Sequence, residues 1–188
     1  MEGSESEGLK LPAVQLETKS AQDISPQDVE MLGKFVDGET EHYISNSTGP
    51  LREELGTSAF VHAQALATLK DYIRDKKDFS LVVAKNNMGE VTGYSLIGLN
   101  LENQEPLKKV NGVFLGVRLE DRKKGIGSEL MQKRMEVLKS QGVDGYVSDS
   151  RNEMLSLYDR LGIKYKAEPL SKEHNAVGIA KKVTVFVR

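Results

Sequence analysis

One stretch of the sequence determines how the rest can be arranged, and it reads VFLGVRLEDRKKGIGS over residues 113–128. Its first part, Val113 to Leu119, is a short run rich in branched apolar residues, which is typical of a buried strand. From Ile126 onward the apolar residues change to helical spacing. The stretch therefore predicts a unit made of a strand, a charged loop and a helix.

The loop of this unit combines cations with glycines. Arg122, Lys123 and Lys124 precede Gly125 and Gly127, so positive charges and residues without a Cβ lie where the helix begins. A helix N-terminus presents unpaired N–H groups and the positive end of a dipole, and glycine lets a phosphate approach the backbone closely. Phosphate is therefore the ligand that the loop predicts.

Two common phosphate-binding motifs do not fit the loop. The P-loop places its lysine after the second glycine, whereas both lysines here come before the glycines. The dinucleotide-binding fingerprint needs a third glycine, and Leu130 occupies that position. The pattern that does fit is R-x-x-G-x-G, over residues 122–127.

Together with a second segment, this pattern resembles the GNAT superfamily of acyl-CoA-dependent N-acetyltransferases. The second segment, residues 152–163, is similar to the family's N-x-x-x-x-x-L-Y-x-x-L-G-F pattern, with Ile163 in place of the usual aromatic residue. The resemblance implies an α/β (α+β) fold: a mixed, mostly antiparallel twisted sheet of six to seven strands with a central parallel pair, flanked by about four helices. It also implies acetyl-CoA, or another acyl-CoA, as co-substrate and no metal.

The resemblance also implies roles for individual residues. The backbone of Leu115, Gly116 and Val117 is expected to pair with the pantetheine arm and to place an N–H near the thioester oxygen. Asn152 is expected to contact the coenzyme, and Tyr158 is expected to protonate the departing thiolate. The residues expected to hold the coenzyme pyrophosphate are Arg122, Lys123, Lys124, Gly125, Ile126, Gly127 and Ser128.

Two of these chemical roles have alternatives. Tyr158 lies on the apolar face of its predicted helix, so it can also be a packing residue with a satisfied hydroxyl. Many family members use a carboxylate on the fourth strand as the base, but residues 111–115 contain none. The possible substitutes are Glu102, Glu105, His62 and His174, each of which is also an ordinary surface or core residue, and none is assigned.

The composition narrows the class of protein. The chain has 188 residues and a formal net charge of −2, which gives no basic excess for general nucleic-acid binding. It has no cysteine, which excludes disulfides, thiolate metal sites and a cysteine acyl-enzyme. No apolar run is long enough for a membrane span, and the acidic, serine-rich start is unlike a secretory signal, so we expect a cytoplasmic protein.

The remaining elements follow from periodicity and from turn residues. We expect a disordered acidic tail over residues 1–11 and a single acyltransferase domain over 12–188. Helices are predicted over 26–38, 58–75, 126–141 and 152–161, and residues 172–182 are predicted to form a mobile flap. Besides 113–119, strands are predicted over 13–18, 79–85, 91–99, 143–148, 164–167 and 183–187. The strand at 143–148 is expected to run parallel to the one at 113–119 through a right-handed crossover.

Three functions remain open at this point. The first is an N-acyltransferase that acts on a primary amine of a small molecule, peptide or protein, by direct attack within a ternary complex, with a homodimer possible. The second is a regulatory module of the same fold that binds an acyl-CoA without turning it over. The third is a nucleic-acid-binding domain using residues 118–124, which the overall charge and the lack of adjacent aromatic residues disfavour.

Overall fold

The computed structural model describes residues 14–45, 52–99, 101–104, 107–110, 113–150, 152–169 and 181–187. The predicted tail and most of the predicted flap lie outside these ranges. The helices are α1 (Pro26–Ser45), α2 (Arg52–Arg74), α3 (Ile126–Ser140) and α4 (Asn152–Arg160), with a short 3-10 helix at Leu119–Asp121. The strands are β1 (Gln15–Ser20), β2 (Phe79–Lys85), β3 (Val91–Gly98), β4 (Leu101–Gln104), β5 (Leu107–Val110), β6 (Val113–Val117), β7 (Gly145–Ser150), β8 (Tyr165–Pro169) and β9 (Lys181–Phe186).

The described strands form two sheets. The first has the order β1-β2-β3-β6 and is antiparallel throughout. The second has the order β4-β5-β7-β9-β8, and its parallel pairing is between β5 and β7. The fold is thus α/β with mostly antiparallel pairing, a central parallel pair and four helices, which confirms the predicted class.

One prediction about the parallel pair is wrong in detail. The strand parallel to β7 is β5, with Lys109 opposite Gly145 and Val110 opposite Tyr146, and not the strand at 113–117. Neither β4 nor β5 was predicted, and the two pair with each other in antiparallel register. These two strands are difficult to predict because their sequences are polar. A β-ladder is held together by backbone hydrogen bonds, which residues of every type can form.

The first helix also differs from its prediction. Its start is as expected, because Ser25 precedes Pro26 and the Asp28 carboxylate accepts hydrogen bonds from the Ser25 amide and hydroxyl. Its predicted end at Gly38 is wrong, since α1 continues to Ser45. A glycine inside a helix costs only about 1 kcal/mol, and the turn after Gly38 buries Glu39 in a network of hydrogen bonds.

The second helix begins earlier than predicted. It starts at Arg52, so Ser58, the predicted first residue, lies inside α2. His62 and Leu69 are buried on the inner face of α2, whereas Ile73, near its end, is 38% exposed.

Helices cover both faces of the first sheet. Leu81 and Val83 of β2 pack with residues of α1 and α2, whereas Val82 and Ala84 pack with α3. Because successive side chains of a strand point to opposite faces, α1 and α2 lie on one face and α3 on the other. The strand is buried on both sides, which explains its continuous apolar sequence.

The last two helices end at glycines, as predicted. Gly142 and Gly162 have positive φ angles of 65° and 66°. The amides that follow them, those of Val143 and Ile163, donate to Leu138 and Tyr158 carbonyls at 3.0 and 2.9 Å, which closes each helix with a left-handed cap. These stops set where β7 and β8 begin.

Candidate functional site

The outer edge of β6 presents backbone groups to the gap between the two sheets. The Arg118 amide donates to the Thr92 carbonyl beside β3 at 2.9 Å. Backbone groups of a strand alternate in direction, so the N–H and C=O of Leu115 and Val117 point away from β3. Among the described strands β6 pairs with β3, and β7 pairs with β5 and β9, so no described ladder closes the space between β6 and β7. We call this gap the wedge.

The charged loop at one end of the wedge has an unusual backbone. Lys123 and Gly125 have positive φ angles of 63° and 88°, and Gly125 is the N-cap of α3. The Gly125 carbonyl accepts the amides of Ser128 and Glu129, at 2.8 and 3.2 Å. The amides of Ile126 and Gly127 precede the first intrahelical bonds and point out of the helix end. The loop therefore has the free donors that an anion needs.

Space in front of the helix end depends on Gly127. A Cβ on this residue would meet only Val117 Cγ2, at 3.8 Å, so nothing in the described protein fills the place of a side chain there. The open edge of β6 and the start of α3 are thus continuous with each other. This cradle fits an elongated ligand with a phosphate at one end.

The cations of the loop differ in where their charges lie. Arg122 is directed inward: its Nε donates to the Val117 carbonyl at 3.1 Å and its Nη2 to Ser58 Oγ at 2.6 Å. Lys124 Nζ binds Asp121 Oδ1 at 2.9 Å, and the Lys123 side chain is exposed. A further cation, not predicted from the sequence, is Arg160 in the last turn of α4, whose Nη2 donates to Ser128 Oγ at 3.3 Å.

Behind β6 lies a group of buried polar side chains, which we call the Glu39 cluster: Glu39 of α1, Ser58 and His62 of α2, and Tyr94 of β3. None is more than 8% exposed. The imidazole of His62 lies at the centre, with Nδ1 2.9 Å from Tyr94 Oη and Nε2 3.1 Å from Ser58 Oγ. Its Nε2 is also 3.6 Å from Glu39 Oε2. The cluster connects both helices to the back of the site.

The carboxylate of Glu39 faces the loop. Its Oε1 accepts the Leu119 amide at 3.1 Å, and its Oε2 is 3.6 Å from Arg122 Nη2. Burial alone would raise the pKa of Glu39, but His62, the Leu119 amide and Arg122 together hold it below its ordinary value. The carboxylate is therefore ionised at neutral pH and supplies a buried negative charge behind the loop.

Gly116 lies directly against the Glu39 cluster. A Cβ at this position would meet the His62 ring and would be 2.6 Å from both His62 Nδ1 and Tyr94 Cε1. Real Cβ atoms are essentially never found so close to a neighbour, so a side chain at this position would force the His62 and Tyr94 rings or β6 to shift. Gly116, which was predicted to bind the pantetheine arm, is thus also needed for close packing of β6 against the Glu39 cluster.

Tyr158 lies on the inner face of α4 and is fully buried. Its hydroxyl accepts a hydrogen bond from the Tyr146 hydroxyl at 3.2 Å, and its ring lies 5.5 Å from the ring of Tyr165. Its expected place on the inner, apolar face of the helix is confirmed, and its hydroxyl is hydrogen-bonded within the protein. Its role as an acid stays a prediction.

A buried cation lies next to these tyrosines. Arg134 of α3 is 2% exposed, and its guanidinium donates to Ser95 Oγ at 2.9 Å, to the Phe114 carbonyl at 2.6 Å and to Tyr146 Oη at 3.5 Å. Burial raises the pKa of Tyr146 far above its ordinary value, and the charge of Arg134 opposes that rise. In the part of the chain that the structure describes, no carboxylate pairs with Arg134.

Arg134 was not among the predicted site residues. Its neighbour Met135 is only partly buried. The available signal was spacing, because position 134 lies four residues before Leu138 and four after Leu130, on the buried face. An arginine was not expected there because its charge is costly to bury.

The other candidates are placed less fully. Asn152 is the first residue of α4 and Glu102 belongs to β4, but their side chains are outside the description, as are Glu105 and His174 altogether. Among the described residues, no group of three or more potential metal ligands is found, and no helix has the length and apolarity that a membrane span needs.

The sequence profile of the Acetyltransferase (GNAT) family matches residues 48–163, which is more than half of the chain. No curated protein sequence is significantly similar to it. The match includes the charged loop, the start of α3 and the whole of α4.

Solved structures of similar fold cover nearly the whole chain. A GNAT-family protein from Desulfovibrio desulfuricans shares 18% identity with a TM-score of 0.60, over 94% of this chain and 100% of its own. The catalytic domain of the Tetrahymena GCN5 histone acetyltransferase, in complex with coenzyme A, shares 14% with a TM-score of 0.54, over 97% and 96%. The YhbS N-acetyltransferase from Escherichia coli, in complex with CoA, shares 18% with a TM-score of 0.53, over 93% and 83%.

Proposed function

Because the chain belongs to the GNAT acetyltransferase family, we propose that it transfers an acetyl or other acyl group from coenzyme A to a primary amine. The observation that carries the proposal is the continuous cradle formed by the outer edge of β6 and the start of α3. The fold supports it, since two neighbours of similar fold have coenzyme A bound. The acceptor class that we propose is an amine of a small molecule, peptide or protein.

The residues of the cradle fit the parts of coenzyme A. The amides of Ile126 and Gly127 would hold the pyrophosphate, with the exposed charges of Lys123 and Arg160 nearby. The amide and carbonyl of Leu115 and the amide of Val117 would pair with the pantetheine arm as a strand does, while the Val117 carbonyl accepts from Arg122. The pyrophosphate would thus lie against the free amides at one end of the wedge, and the pantetheine arm would lie along the strand edge.

The bound thioester supplies an activated acyl carbon. The amine nitrogen, in its neutral form, forms a bond to this carbon and loses one proton to solvent, the carbon–sulfur bond breaks, and the sulfur takes up a proton from an acid that solvent then reprotonates. An N–H on the edge of β6 would stabilise the negative charge that develops on the acyl oxygen. The Tyr158 hydroxyl would supply the proton to sulfur, while Tyr146 holds that hydroxyl in position. With no cysteine in the chain, we propose direct transfer in a ternary complex.

A second candidate function is a regulatory module that binds an acyl-CoA without turning it over. Two observations favour it: the described part of β6 carries no acidic side chain, and Tyr158 is fully buried. Such a module needs the cradle but not an acid beside the sulfur.

One experiment separates the two functions. The protein is incubated with acetyl-CoA and a panel of primary amines, and the release of free thiol is followed, with calorimetric titration of CoA alongside. We expect CoA binding together with amine-dependent thiol release. Binding without release would support the regulatory module, and the absence of binding would contradict both. For active amines, initial-rate plots should intersect, whereas parallel lines would contradict direct transfer.

A further inference from the structure

We infer that Glu39 is the positioning residue of the pyrophosphate-binding loop, which it holds from behind through the Leu119 amide and the Arg122 guanidinium. The inference rests on the proposed function, because it concerns how the loop binds the coenzyme. It also gives Arg122 a different task from the one that its place in the motif suggests.

The first support is the position of the contacts. Leu119 is the first residue of the 3-10 helix in the short turn that joins β6 to the loop, and Arg122 directly follows the last residue of that helix. Glu39 Oε1 accepts the amide at one end, and Glu39 Oε2 lies 3.6 Å from the guanidinium at the other. One carboxylate therefore spans the turn and fixes the direction in which the chain enters the loop.

The second support is the direction of the Arg122 side chain. Its Nε donates to the Val117 carbonyl and its Nη2 to Ser58 Oγ, so two faces of the guanidinium are engaged by the protein. A planar guanidinium with donors fixed in this way cannot turn to a ligand without breaking these bonds. Arg122 thus acts on the ligand through the shape of the loop.

The third support is burial. The Glu39 side chain is 5% exposed, against 26% for Arg122. A buried carboxylate is tolerated only when it is paired and hydrogen-bonded, and removing one partner of such a pair is costly. Two of the partners of Glu39, the Leu119 amide and the Arg122 guanidinium, belong to the turn that leads into the loop. A substitution at Glu39 should therefore disturb the conformation of this turn most directly.

The test compares Glu39→Gln with Glu41→Gln. The first change keeps the shape and removes the charge, and it turns an amide toward the Arg122 donors. The second makes the same chemical change at an exposed position of the same helix, two residues away. Ser58→Ala serves as a milder variant, because it removes only the hydroxyl that accepts from Arg122 at 2.6 Å.

Two ligands make the binding test specific. Coenzyme A contains the pyrophosphate, and pantetheine lacks it. We expect Glu39→Gln to weaken CoA binding by roughly ten- to a hundredfold and Ser58→Ala by about threefold to tenfold, as for a truncated buried charge pair and a lost hydrogen bond. Pantetheine binding should change in neither variant, and Glu41→Gln should bind both ligands like the original protein. An equal loss of CoA and pantetheine affinity, or no loss of CoA affinity in either variant, would overturn the inference.

Hydrogen exchange of the ligand-free protein provides an independent reading. We expect the Leu119 amide to exchange at least tenfold faster in Glu39→Gln, while amides of β2 and β3 keep their protection. Unchanged exchange at Leu119 would overturn the inference whatever the binding result. If the unmodified protein fails to bind CoA, the proposed function falls instead, and exchange still decides whether Glu39 holds the turn.

Discussion

Gly116 and Gly127 lie on the same candidate site, and an alanine at each should have opposite effects. At Gly116 the new Cβ would be 2.6 Å from His62 Nδ1 and from Tyr94 Cε1. Neither ring can move freely, because His62 is bonded to Ser58 and Tyr94 and both rings pack edge-on against Phe35. Gly116→Ala should therefore overpack the core behind β6.

The expected size follows from overpacking in other cores. An extra methyl group in a well-packed core costs about 1 to 3 kcal/mol. For a chain of this size, each kcal/mol lowers the melting temperature by about 2 to 4 °C. Gly116→Ala should thus melt about 2 to 12 °C lower, with its CoA affinity well below that temperature reduced by less than about tenfold.

Gly127→Ala should give the reverse. Its Cβ would meet protein only at 3.8 Å, and alanine is favoured over glycine in a helix by up to about 1 kcal/mol, so the fold should be unharmed or slightly stabilised. The methyl group would occupy the space in front of the free amides. We expect CoA affinity to fall by roughly a hundredfold, about 3 kcal/mol.

Thermal melting and calorimetric titration with CoA should be measured on both variants, because together they test the pyrophosphate site and the packing behind β6. If Gly127→Ala binds CoA as tightly as the original protein, the helix end is not the pyrophosphate site. If Gly116→Ala melts unchanged, the contact of β6 with the Glu39 cluster is looser than the structure shows.

Tyr158→Phe should lower turnover by roughly two to four powers of ten if the hydroxyl protonates the thiolate, with CoA binding kept; full activity in the amine assay would return the residue to packing. Arg134→Met should change the free energy of unfolding by less than about 2 kcal/mol, because a buried cation without a carboxylate partner contributes little net stability; a loss above about 4 kcal/mol in urea unfolding would contradict this. Burial alone would raise the pKa of Asp28, but hydrogen bonds and charge from Lys19 and Ser25 hold this pKa below its ordinary value. The ionised Asp28 carboxylate therefore stabilises the fold above the unfolded-state pKa near 4, and this stabilisation is lost as the pH falls through the lower pKa of the folded state. Asp28→Asn should therefore be less stable than the original protein at pH 7, by about 1 kcal/mol, and the difference should shrink below about pH 4, as urea unfolding at both pH values would show.

The sequence predicted the parts of the fold that local chemistry determines. The β2–β3 hairpin follows from two apolar runs around a turn at residues 86–89, and the ends of α3 and α4 follow from Gly142 and Gly162. The loop before α3 follows from its cations and glycines. These features need only neighbouring residues, so a single sequence contains them.

What the sequence did not predict depends on contacts between distant residues. Glu39 follows a glycine that looked like a helix end, and its burial is decided by Leu119, 80 residues away. The strands β4 and β5 have polar sequences, and they form because each pairs with a neighbouring strand. Arg134 is buried because Ser95 and the Phe114 carbonyl receive its donors. Residue spacing places Arg134 on the inner face of α3, but it does not indicate that a charged side chain there is buried.

The separation of the described strands into two sheets has a consequence for how the chain folds. Within the second sheet, β5 pairs with β7 at Lys109–Gly145 and Val110–Tyr146, although β5 and β7 are separated in sequence by all of β6 and α3. The sheet of β1, β2, β3 and β6 has a tight hairpin at its centre, which makes it the faster part to form. We therefore expect two cooperative units, with the C-terminal sheet opening at a lower free energy than the N-terminal one.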